Sequence, residues 1–91
     1  MLKFEWNSEK AEINFKKHHV SFEEAMTVFN DESALTIVYE EHSLKEERFV
    51  NLGFSSKGRL IVVVFTERND KIRIISSRKA TRKEMEYYEK S

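Results

Sequence analysis

Two groups of side chains able to do chemistry stand near opposite ends of the chain: Lys17-His18-His19, and Arg78-Lys79 followed by Thr81 and Glu84. Histidine exchanges protons near neutral pH. Arginine forks match phosphate oxygens, and lysine supplies a compact point charge. Arg48 adds a further cation between the two groups, and Tyr87 or Tyr88 offers an aromatic face that could position or stack a base. Such a set suffices for RNA strand cleavage by attack of the 2′-hydroxyl on its own phosphorus. One group takes the 2′ proton, another protonates the departing 5′ oxygen, and the cations hold the phosphoryl charge. That route requires no metal. Each residue also has a plain structural role open to it. His18 fits a helix-end cation, Lys17 a solvated charge and Arg48 a partner for Glu46 or Glu47. Arg78 and Lys79 fit charges at a strand end, and Tyr88 an aromatic at the core edge.

Other chemistries have less to work with. His18 and His19 are adjacent, so on a helix their side chains diverge by about 100° and grip one ion poorly. His42 sits apart in an acidic loop, and no His-x-x-x-His or similar ligand spacing occurs, so no metal or other cofactor is expected. There is no cysteine, hence no disulfide framework, and no serine lies in a Gly-x-Ser-x-Gly elbow. With Gly53 and Gly58 the only glycines, a glycine-rich phosphate loop is excluded.

The elements that must position these residues follow from capping and periodicity. Asn7-Ser8 caps a helix running from Glu9 to Lys17 or His18, closed by cations where the helix dipole favours them. Ser21 opens a second helix, with Glu24 as the other half of a capping box and Phe22, Ala25, Met26 and Phe29 on one apolar face; it stops near Asn30-Asp31. The period then changes. Strands are expected at Ala34–Tyr39, Arg48–Phe54, Leu60–Thr66 and Lys71–Ser77, linked by a polar loop from Glu40 to Glu46, a hairpin loop at Ser55–Gly58 and a tight turn at Arg68–Asp70. The third strand is apolar on both faces and so central. Thr81 and Glu84 form a capping box for a last helix reaching about Glu89. The expected fold is α+β: two N-terminal helices, a four-stranded antiparallel meander and a C-terminal helix.

The 91 residues suit one domain, residues 1–91. The net charge is zero, but residues 1–47 hold 5 Lys/Arg against 11 Asp/Glu and residues 48–91 hold 11 against 5. The basic half could face nucleic acid or an acidic partner, or the halves could simply attract each other within one fold. No run reaches the ~18 apolar residues of a membrane span, and the first residues show no signal-peptide core. A soluble cytoplasmic protein is expected, with no membrane partner.

Several stretches together carry a resemblance to a known family. Phe4-Glu-Trp6-Asn, Asn14-x-x-Lys17-His18-x-Val20-Ser-Phe22-x-Glu24-Ala25, Glu47-Arg48-Phe49, Leu52-Gly53, Ser56 through Arg68, and Arg73-Ile-Ile-Ser-x-Arg78-Lys-Ala80-Thr-x-x-Glu84 resemble the BrnT family of bacterial type II toxins. The resemblance implies a RelE-like α+β fold, a ribonuclease that arrests translation, and neutralisation by a BrnA-like antitoxin. It implies a complex that represses its own operon, with DNA contacted only indirectly, through the antitoxin. A toxin homodimer within a heterotetramer is one assembly open to it. Carried over by position, the family's Lys-His pair falls on Lys17 and His18. Its arginines fall on Arg48 and Arg78, its helix glutamate on Glu84 and the following aromatic on Tyr88, with Lys79 beside them as a supporting RNA contact. The family usually has glycine after Lys-His, an easy left-handed helix stop; here His19 stands there and must accept that conformation or end the helix otherwise. The competing reading is a binding module without catalysis that engages only an antitoxin or another partner.

Overall fold

The apolar run that begins at Leu60 becomes a strand with a neighbour on each side, as two buried faces require. The computed structural model describes residues 2–39 and 46–91. Its elements in chain order are β1 (Phe4–Glu5), α1 (Ser8–His18), α2 (Phe22–Thr27) with a 3₁₀ turn at Val28–Asn30, and β2 (Leu35–Tyr39). β3 (Arg48–Phe54), β4 (Leu60–Arg68), β5 (Lys71–Lys79) and α3 (Arg82–Lys90) follow. The sheet order is β1-β5-β4-β3-β2.

β2 through β5 form the antiparallel meander that their short links predict. The sheet nevertheless has five strands and is mixed, which corrects the expected four-stranded antiparallel sheet. Phe4–Glu5 pairs parallel to β5, and the Ile72 N–H donates to the Lys3 carbonyl at 2.8 Å. Two residues are too few to show alternation, so pairing with β5 alone makes this strand. β5 also runs on to Lys79, which places Arg78 and Lys79 within the strand and not beyond it. Asn69 and Asp70 take φ of 51° and 64° in the tight turn before it, a left-handed pair that these side chains tolerate.

Each sheet face has its own core. On one, Val20, Phe22, Ala25 and Val28 from the helical layer meet Ile61, Val63, Phe65, Ile72 and Ile74. On the other, Leu52, Leu60 and Val62 lie beneath Ala80 and Tyr88. Full burial of side chains of this size is worth about 1.5–3 kcal/mol each. α3 has no fully buried residue and covers only one end of its face, so among the described residues no other element covers the remainder.

Gly53 lets the helical layer approach β3. A Cβ there would stand 2.9 Å from Ala34 Cβ and 3.1 Å from both Asp31 Oδ2 and Val28 Cγ1. Gly53→Ala should therefore destabilise the fold by about 1–3 kcal/mol, as overpacking does. The check is the urea midpoint, and an unchanged midpoint would contradict this packing.

One irregularity decides which side chains reach the open face. Val64 pairs with Ser76 but Phe65 pairs with Ile74, so Ile75 is an extra residue on β5. Strict alternation would have carried Ile72 and Ile74 forward to Ser76 and Arg78 on the helix-covered side. The bulge moves Ser76 and Arg78 to the opposite face. Three cross-strand rows then line that face: Leu35–Leu52–Val62–Arg78, Ile37–Val50–Val64–Ser76 and Tyr39–Arg48–Thr66–Arg73.

Candidate active site

α1 begins where the Asn7 side chain accepts the Lys10 N–H at 3.0 Å. It ends at His19, which adopts the left-handed conformation (φ 60°, ψ 29°) and donates its N–H to the Phe15 carbonyl at 2.8 Å. That backbone costs a non-glycine residue about 1–2 kcal/mol. The Arg59 Nη2 donates to the His19 carbonyl at 3.0 Å, and the His19 ring lies edge-on to Phe15. Arg59 is itself paired with the buried Glu24 carboxylate, which also accepts the Ser55 hydroxyl at 2.7 Å. The expected capping box at Ser21 is therefore only half formed. Ser21 accepts the Glu24 N–H at 3.0 Å, but the Glu24 side chain turns away toward Arg59 and Ser55.

The buried side chain of Asn14 fixes α1 against the sheet. Its Nδ2 donates to the Ser77 carbonyl at 2.9 Å and to the Val20 carbonyl at 3.0 Å, and its Oδ1 accepts the Ser77 N–H at 3.1 Å. β1 pairs with β5 only at Ile72 and Arg73, so farther along the strand this amide does the work of a neighbouring strand. Ser77 is thereby satisfied on its outer edge. His18 is one helical turn beyond Asn14 and Arg78 is one residue beyond Ser77, so the same clamp sets the two functional candidates relative to each other. In sequence Asn14 reads as an ordinary polar position in a helix; its partner is 63 residues away.

His18, Tyr39, Ser76, Arg78 and Glu84 line one cleft of about 550 Å³. Val50, Val62 and Val64 supply its apolar floor. The Arg78 guanidinium makes a two-point bond with Glu84, Nη1 to Oε1 at 2.8 Å and Nη2 to Oε2 at 2.9 Å. A guanidinium has further N–H donors that this pair does not use. Glu84 also accepts the Thr81 N–H at 2.8 Å while the Thr81 hydroxyl accepts the Glu84 N–H at 3.2 Å, so the capping box expected here is complete. The hydrogen bond from Arg78, reinforced by Thr81, pulls the Glu84 carboxyl down to about 2 against the opposing effect of burial. Glu84 is consequently a poor proton acceptor near neutral pH and a good orienting group. Arg78 is raised in turn, chiefly by its bond to Glu84.

The other candidates lie elsewhere. Lys17 is exposed and does not line the cleft. Arg48 is half-buried on the same sheet face, two rows from Arg78. Its suggested partner Glu46 binds Arg68 instead, at 3.1 Å. Lys79 and Tyr88 line a different groove, between α3 and the β3–β4 hairpin. The Tyr88 hydroxyl donates to Asp31 at 2.7 Å and its ring lies edge-on to Phe54, so the structure uses it to anchor α3. His42 lies outside the described residues. Among those described, no group of three or more His, Cys, Asp or Glu side chains is placed to hold a metal ion, and no helix is long and apolar enough to cross a membrane.

Three acids gain stability from these contacts. Glu84 is lowered as above, and Glu24 is lowered chiefly by its hydrogen bond from Arg59. At Asp31 burial acts to raise the pKa, but hydrogen bonds from the Phe54 N–H, the Tyr88 hydroxyl and the Ser33 N–H together outweigh it. Because the folded values lie below the unfolded ones, the unfolded chain binds more protons as the pH falls. The Glu84 contribution should be full above pH 4.5 and lost progressively toward about 2. Thermal midpoints followed by circular dichroism from pH 6 to 2.5 should fall in that window, with a shallower fall in Glu84→Gln; a flat profile would contradict the assignment.

This arrangement has relatives. The fold matches the crystal structure of the Brucella abortus ribonuclease toxin BrnT with a TM-score of 0.70 and 21% sequence identity, covering 90% of this chain and 100% of that one. The molecule therefore has the architecture of that small α+β toxin. No curated protein matches the chain. The family model described as the ribonuclease toxin BrnT of type II toxin–antitoxin systems matches residues 6–84, and the chain belongs to that family. It is thus a ribonuclease toxin of the type II class, for which membership implies an antitoxin partner.

Proposed function

We propose that the protein is a metal-independent endoribonuclease that cleaves RNA through 2′-hydroxyl attack, arrests translation, and is neutralised by a BrnA-like antitoxin. The observation that supports this reading is the convergence of His18 and Arg78, 60 residues apart in sequence, on one cleft of the open sheet face. In the proposed reaction the 2′ oxygen bonds to phosphorus as the bond to the 5′ oxygen breaks. The 2′ proton leaves and the 5′ oxygen gains one, giving a cyclic phosphate and a free 5′ hydroxyl. His18 is the group in the cleft suited to proton transfer, and Arg78 offsets charge on the phosphoryl oxygens, with Lys17 and Arg48 outside the cleft as additional positive charge. Glu84 holds the Arg78 fork in place. Lys79 and Tyr88 then serve outside the reacting centre, as an RNA contact and an anchor of α3. The antitoxin would carry any DNA contact of the complex, and a toxin homodimer within a heterotetramer is compatible with this role.

Induced expression should arrest growth and fragment total RNA, and co-expression of the cognate antitoxin should reverse both. The fragments should carry cyclic phosphate and 5′ hydroxyl ends. Metal-dependent cleavage leaving 5′ phosphates would overturn the mechanism. A folded wild-type protein that leaves RNA intact yet binds its antitoxin would favour the binding-module reading.

A further inference from the structure

The row Tyr39–Arg48–Thr66–Arg73 crosses the same open face as Arg78, but at the opposite end from α3. Arg48 and Arg73 are both half-buried, and the Arg73 side chain keeps 32% of its surface exposed. Lys71 and Arg73 share one carboxylate, Glu5, at 4.0 and 3.4 Å, so this corner keeps an excess of positive charge. Between the two cationic ends runs the row Ile37–Val50–Val64–Ser76, apolar except at its last position. Tyr39 lines the cleft beside it. Arg73 and Arg78 stand opposite Thr66 and Val62, about 13 Å apart along β4 at roughly 3.3 Å per residue, longer than one phosphodiester linkage.

We propose that this face is a binding track for single-stranded RNA, in which Arg78 holds the phosphate at the cleavage point, Arg48 and Arg73 hold a backbone phosphate farther along, and an unstacked base lies on the apolar row against Tyr39. The proposal rests on the ribonuclease reading and extends it to substrate form and to Arg73 and Tyr39. Positive charge tracking the backbone, with an aromatic or apolar platform for bases, is how proteins hold single strands without reading their sequence. A duplex presents its bases stacked inward and cannot fill the trough.

The test is fluorescence anisotropy with a six-nucleotide, fully 2′-O-methylated RNA, which cannot be cleaved, across a range of salt concentrations. Tyr39→Ala should raise Kd about tenfold and Tyr39→Phe should restore it. Arg73→Gln should raise Kd and reduce the slope of log Kd against log salt by about 0.7, the effect of one lost phosphate contact on a single strand, whereas Arg73→Lys should keep the slope. The same sequence as a duplex should bind more weakly. Wild-type protein that cleaves unmodified RNA, together with Tyr39→Ala and Arg73→Gln proteins that melt normally and keep the wild-type Kd and salt slope, would overturn the track alone. Wild-type protein that cleaves no RNA would overturn the ribonuclease reading and the track with it.

Discussion

Arg78→Ala should lower the rate of RNA cleavage by about 10²–10³, the usual effect of removing one preorganised donor from a site of developing negative charge. Arg78 meets the geometric needs of that role through two unrelated features. The bulge at Ile75 turns it to the open face, and the two-point bond to Glu84 fixes the plane of its fork. Arg78→Lys should recover only part of the loss, because a single ammonium cannot reproduce the fork. The substitution also frees Glu84, but the Thr81 capping box still holds that carboxylate, so α3 should stay formed. Cleavage rates at saturating RNA, measured beside circular dichroism of each variant, separate the catalytic loss from any loss of structure. A folded Arg78→Ala protein that cleaves at the wild-type rate would remove Arg78 from the site.

Asn14→Ala should destabilise the protein by about 3 kcal/mol or more. It leaves the Ser77 N–H and the Ser77 and Val20 carbonyls without their amide partner in the interior, and an unmade buried hydrogen bond costs about 1–3 kcal/mol. In a domain of this size the melting temperature should fall by roughly 12 °C or more. Asn14→Asp keeps the acceptor for the Ser77 N–H but loses the bonds donated by Nδ2 and places a charge in the interior, so it should be at least as damaging. Thermal melts of the two variants provide the check, and a shift of only a few degrees would show that Asn14 does not clamp α1 to β5.

The parts of the fold that were legible in the sequence are those with a local cause. Leu60 to Phe65 is apolar on both faces and becomes an interior strand, and Thr81 with Glu84 three residues on becomes a complete capping box. The same spacing misleads at Ser21, because Glu24 finds Arg59 and Ser55 more than thirty residues away and leaves its own helix end. β1 is invisible from its two residues, since only the edge of β5 makes them a strand. The bulge at Ile75 is equally hidden: Ile74-Ile75-Ser76-Ser77 breaks the alternation without saying which residue is extra. The site shows the same division. His18 and Arg78 stand out by residue type, but Asn14 looks like helix surface until Ser77 is beside it, and Tyr88 looks like a base stacker until Asp31 takes its hydroxyl. Row membership of Tyr39 and Arg73 depends on register across four strands, which no local pattern encodes.

The most direct test of the central claim is single-turnover cleavage of unstructured RNA by purified protein in excess EDTA, comparing wild type with His18→Ala and Arg78→Ala. The account predicts cleavage by wild type with cyclic phosphate ends, and losses of about 10²–10⁴ for His18→Ala and 10²–10³ for Arg78→Ala. Wild-type cleavage that both folded variants match would contradict it and place the chemistry elsewhere on the molecule.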